Sequence, residues 1–91
     1  VTNAPTTIAY NQSTRILSWA QGGGTEPGGN TYDFDIDNNS DFSSPSISRT
    51  QYSNNEFQVI LSAGTYHLRV REYSTNGLLS AYSSTTSFVV L

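Results

Sequence analysis

Apolar and polar residues alternate in short runs along this 91-residue chain, and turn-forming residues separate the runs. The clearest run is Tyr32 to Asp37, with Tyr32, Phe34 and Ile36 on one side and Asp33, Asp35 and Asp37 on the other. Successive side chains of a strand point to opposite faces, so this spacing predicts a strand with one buried and one half-exposed polar face. Tyr66, Leu68 and Val70 predict a second strong strand after a Ser62-Ala63-Gly64 turn, and Phe57, Val59 and Leu61 alternate just before it. Ile8 to Tyr10 follows Pro5 and suits an edge strand. Arg15 to Ala20 carries Trp19, Ser46 to Tyr52 reads as a polar strand near a sheet edge, and Phe88 and Val90 close the last run. The glycine-rich stretch Gly22–Gly29 separates the second and third runs. Asn38 to Pro45 links the third to the fourth, with Phe42 as its only large apolar residue, and Asn76-Gly77 marks a turn. No window carries a 3.6-residue period. The pattern predicts an all-β, seven-stranded antiparallel sandwich.

Composition narrows the picture. Ninety-one residues suffice for one core, and a domain this small buries only roughly 60% of its unfolded surface. The apolar fraction is 35%, but a third of that weight is aromatic, so a few large rings must supply most of the buried area. Periodic apolar positions and a net charge of only −3 argue against disorder. With no Cys, neither disulfides, thiolate metal sites nor a Cys nucleophile is available. The chain has no Met and begins at Val1, which leads to the expectation of a single domain, residues 1–91, excised from a larger multidomain protein. No apolar run is long enough to span a membrane. Four Arg and no Lys against seven acidic residues can hardly build the cationic face that nucleic acid requires.

The acidic residues are the first candidate chemistry. Asp33, Asp35, Asp37 and Asp41 fall within nine positions, and the first three have the spacing of positions 1, 3 and 5 of a calcium loop. Asn38 stands where that loop needs Gly, and Ser44 where it needs Glu, so the motif fails. A weak calcium site around Asp37 and Asp41 is the remaining metal candidate; no cofactor is implied. Strand alternation accounts for Asp33, Asp35 and Asp37 directly. His67 is the only His, no nucleophile-elbow motif is present, and the expectation is a non-enzyme. Asn11-Gln12-Ser13 and Asn38-Asn39-Ser40 match glycosylation acceptors, which matter only in a eukaryotic secretory host.

Leu61-Ser62-Ala63-Gly64-Thr65-Tyr66-His67-Leu68-Arg69-Val70-Arg71 resembles a segment of bacterial fibronectin type III domains. Asn76-Gly77 through Ser80-Ala81-Tyr82-Ser83 to Phe88-Val89-Val90 is similar to that family's closing turn and last strand, and Asp41-Phe42-Ser43-Ser44-Pro45 to one of its links. The resemblance covers nearly the whole chain. It implies an immunoglobulin-like sandwich in which Trp19 bridges the sheets and Tyr66 forms a tyrosine corner. One departure is Arg15, where the family prefers an apolar residue, so the second strand is expected to start later or to bulge. The resemblance also places the third strand beside the sixth. Asp33, Asp35 and Asp37 would then face His67, Arg69 and Arg71, each exposed pair contributing roughly 0.2–1 kcal/mol. In a subset of the family a ring on the last strand stacks on sixth-strand Arg residues, which here casts Tyr82 over Arg69 and Arg71 as a structural feature.

Two functions remain. The first is a structural or spacer module of an extracellular or cell-surface protein, bacterial, of the surface or polysaccharide-processing type, whose partners are neighbouring domains of the parent chain. The second is a carbohydrate- or protein-binding module that uses exposed Tyr52, Tyr73 and Tyr82, with polysaccharide or a surface protein as partner. Nucleic-acid binding and membrane insertion are not expected, and the isolated domain is expected to be a monomer.

Overall fold

The alternating runs become seven strands and no helix in a computed structural model, described for residues 3–22, 31–73 and 79–91. They are β1 (Thr6–Asn11), β2 (Ile16–Ala20), β3 (Thr31–Asp37), β4 (Ile47–Tyr52), β5 (Glu56–Gln58), β6 (Gly64–Tyr73) and β7 (Thr86–Val90). One sheet has the order β1-β2-β5 and the other β4-β3-β6-β7, and every pairing is antiparallel. Residues 23–30 of the glycine-rich loop and the Asn76-Gly77 turn lie outside the described residues.

The inward faces supply the core. Leu17 and Trp19 from β2, Tyr32, Phe34 and Ile36 from β3, Tyr66, Leu68 and Val70 from β6, and Phe88 and Val90 from β7 are all buried. Phe34 is the hub, 5.4 Å from the Trp19 ring, 5.0 Å from Phe57 and 5.4 Å from Tyr52. Trp19 also meets Tyr32 edge-on at 5.5 Å, so its indole lies between the two sheets. Such pairs add about 0.5–1.5 kcal/mol beyond the area that they bury.

Several boundaries differ from the sequence expectation. β2 starts at Ile16, one residue late, because Arg15 takes a left-handed conformation (φ 59°) and its N–H donates to the Asn11 carbonyl at 2.7 Å. The Phe57-Val59-Leu61 alternation yields only the three-residue β5; Val59 still bonds the residue ahead of β2, its N–H donating to the Arg15 carbonyl at 2.8 Å, while Ile60 turns outward. β1 and β4 are each interrupted by a register shift, beside Thr7 (φ 55°) and Gln51 (φ 50°) respectively. Before β6, the Tyr66 hydroxyl donates to the Ser62 carbonyl at 2.8 Å. That bond ties the start of the strand to the loop in front of it.

Candidate functional site

The polar side of the four-stranded sheet concentrates the chemistry. Register places Asp33 opposite Arg71, Asp35 opposite Arg69 and Asp37 opposite His67. The Arg71 Nε donates to Asp33 Oδ2 at 3.0 Å, and the Arg69 Nε and Nη2 both reach Asp35 Oδ2 at 2.9 Å. The second oxygen of each carboxylate is engaged as well. Gln51 N–H donates to Asp33 Oδ1 at 2.9 Å, bonding a backbone group that the β4 bulge turns out of the ladder, and the Ser48 hydroxyl donates to Asp35 Oδ1.

Asp37 leaves the ladder. Its Oδ1 accepts from the Asn39 backbone N–H at 3.2 Å and side-chain amide at 3.3 Å, and its Oδ2 accepts from Ser44 N–H at 3.0 Å. It caps the turn that follows β3 rather than pairing with His67, whose Nδ1 lies 3.0 Å from the Ser87 hydroxyl oxygen instead. The expected half-exposed acidic face also needs correction: Asp33, Asp35 and Asp37 are 7%, 8% and 0% exposed. Asp33 and Asp35 bond Arg71 and Arg69, whose guanidinium groups lie against two aromatic rings, and Asp37 bonds the 38–45 link.

Those rings belong to Phe42 and Tyr82. The Arg69 guanidinium lies 4.6 Å from the Phe42 ring centre and 4.4 Å from that of Tyr82, and Arg71 lies 4.7 Å from Tyr82. Arg69 is thus held by rings on two segments and by a carboxylate on a third. Tyr82 reaches this place from an irregular segment ahead of β7, not from a strand. Two serines hold that segment against β6. Ser80 N–H donates to the Glu72 carbonyl at 2.9 Å while Glu72 N–H donates to Ser80 Oγ at 2.8 Å. Ser83 N–H donates to the Val70 carbonyl at 2.7 Å, and Val70 N–H to Ser83 Oγ at 3.1 Å. A hydroxyl replaces a strand carbonyl in each case, which leaves the backbone free of strand geometry and able to carry a ring over the Arg pair.

The remaining sequence candidates lie apart. Tyr52 packs edge-on against Phe34 and Phe57 and its hydroxyl donates to the Glu56 carbonyl at 2.8 Å, on the other flank of the sheet. Tyr73, half-buried, sits at the far end of β6 in a bridge to Leu79. Asp41 is fully exposed; the hydroxyl and N–H of Ser43 hold its carboxyl below the usual aspartate range. Among the described residues no group of three or more His, Cys, Asp or Glu side chains could hold a metal ion.

Two features escaped the sequence reading. Glu72 is 1% exposed, on the inward face at the end of β6, and accepts from Gly22 N–H at 3.0 Å. Its place continues the Tyr66-Leu68-Val70 alternation, so the two-residue period alone could have flagged it. A Cβ on Gly22 would stand 2.3 Å from the carbonyl oxygens of Asn3 and Ala4, so only glycine lets the chain's first described residues pass this close. The second feature is Ser87, which β7 brings beside His67 and so into a row with Asp37 across β3, β6 and β7. Strand register alone creates it, and the Asp37 carboxylate is already committed to the turn.

No protein-family model matches the chain, and no curated protein matches it in sequence. Among solved structures it is similar to the solution structure of the fibronectin type III domain of human fibronectin type III domain containing protein 3. The likeness has a TM-score of 0.72 at 15% sequence identity and covers 98% of this chain and 85% of that one. Two antiparallel sheets in the order β1-β2-β5 and β4-β3-β6-β7, together with this likeness, give the chain the fold of a fibronectin type III domain.

Proposed function

We propose that the chain is a non-catalytic spacer in a multidomain protein at the bacterial cell surface or outside the cell, where it contacts the neighbouring domains of its own chain. The fold fits a structural or interaction module. The observation that carries the spacer reading is that the most chemically distinctive cluster satisfies itself. Asp33 and Asp35 have partners on both oxygens, and Tyr82 presents its ring to Arg69 and Arg71. A brace of this kind fixes three strands and a loop against one another and leaves few polar groups directed at a ligand. The bacterial and extracellular parts of the proposal rest on the resemblance of Leu61–Arg71 and Asp41–Pro45 to bacterial fibronectin type III segments.

A polysaccharide pull-down and glycan array with the wild-type chain, Tyr73→Ala and Tyr82→Ala tests the proposal. The spacer reading expects no retention of any glycan. Retention by the wild type that Tyr73→Ala abolishes, with the fold intact by circular dichroism, would replace it with a carbohydrate-binding role.

A further inference from the structure

We propose that Gln12 is an edge guard: its carboxamide occupies backbone positions through which β7 would otherwise pair with β7 of a second copy of the chain. β7 is bonded to β6 along one edge, in unbroken register from Gly64 opposite Val90 to Leu68 opposite Thr86. Its other edge faces β1 across the seam between the sheets, beside a cleft lined by Ile8, Tyr10, Leu17 and Phe88. There the Gln12 Nε2 donates to the Val89 carbonyl, and the Gln12 Oε1 accepts from Leu91 N–H at 3.3 Å. A carbonyl and an N–H two residues apart, both bonded to a single amide donor and acceptor, form the unit of a parallel β-ladder that straddles Val90. The side chain thus supplies what one residue of a neighbouring strand would supply.

The other sheet edges carry different protection. β1 and β4 are interrupted beside Thr7 and Gln51, and β5 is only three residues long. Bulges and short strands are the usual means of blunting an edge that would otherwise template pairing. β7 has neither, and Val89 on it is 47% exposed. A second copy is the matching partner because it brings the same row of groups, and two identical rows pair antiparallel about a two-fold axis.

Sedimentation velocity of the wild type, Gln12→Ala and Gln12→Ala/Val89→Lys, from micromolar to millimolar concentration, tests the proposal. The wild type should sediment as a monomer throughout and Gln12→Ala should dimerise as concentration rises. The added Lys should restore the monomer, since a charge on an edge strand blocks pairing. Circular dichroism at the lowest concentration checks folding; should the alanine variant be unstable, Gln12→Met keeps the side-chain length without the amide. A monomeric Gln12 variant at every concentration overturns the proposal. So does a dimer that survives Val89→Lys, or a wild type that dimerises through this edge.

Discussion

Asp33, Asp35 and Asp37 share a residue type, a strand face and a two-residue spacing, yet their carboxylates do different work. The first two neutralise Arg71 and Arg69, while the third caps a turn through Asn39 and Ser44. Their facing was legible in the alternation; their burial was not, because Arg69 and Arg71, which bond Asp35 and Asp33, and the Tyr82 ring stacked on both come from segments remote in sequence. Tyr32 gives the residue scale its pH signature. Burial, reinforced by the charge of Glu72 opposite it, pushes its phenol above the ordinary tyrosine value. The unfolded chain therefore loses this proton first. The stability that Tyr32 contributes is complete below about pH 10 and is lost as pH rises through the folded-state value. Urea denaturation of the wild type and Tyr32→Phe between neutral and strongly alkaline pH should show the wild-type midpoint falling more steeply in the alkaline range. Parallel curves would mean that the phenol is not shielded in the folded protein.

At the scale of elements, β6 organises the molecule. Its inward residues build the core, its outward Arg69 and Arg71 pair with Asp35 and Asp33 of β3, and its backbone at Val70 and Glu72 bonds the Ser80–Ser83 segment. The sequence carried the cues for this pairing: an Asp run, an Arg-x-Arg run and a Ser-Ala-Tyr-Ser segment. It did not indicate that Ser80 and Ser83 would bond β6 through their hydroxyls, since that depends on which part of the chain comes to lie beside Val70 and Glu72. Tyr82→Ala removes two ring-to-guanidinium contacts and should lower stability by about 1–2 kcal/mol, at 0.5–1 kcal/mol for each. Tyr82→Phe, which keeps the ring, should remain close to wild type. Chemical denaturation of both variants checks this, and equal losses would assign the role to the hydroxyl instead.

For the whole molecule, stability rests on a few rings. Phe34→Ala empties the point where Trp19, Tyr52 and Phe57 meet and should cost roughly 3–5 kcal/mol. Small domains hold only about 5–15 kcal/mol in all, so a strongly lowered denaturation midpoint or outright loss of folding is expected. A midpoint close to wild type would show that the aromatic cluster is not the core's anchor. The flanks of the sandwich close differently: Tyr52 at the end of β4 packs on Phe57 of β5, and Gln12, just after β1, reaches β7 and Leu91. By itself the sequence determined the all-β class and, among the described residues, the seven strands and most of the inward positions, because a two-residue period and turn chemistry act between near neighbours. Only the tertiary structure decided that the acidic face is covered, that Glu72 meets the Gly22 N–H and that Gln12 reaches β7. Each of those depends on which distant strand becomes a neighbour, and a period along the chain holds no information about what will lie across from it.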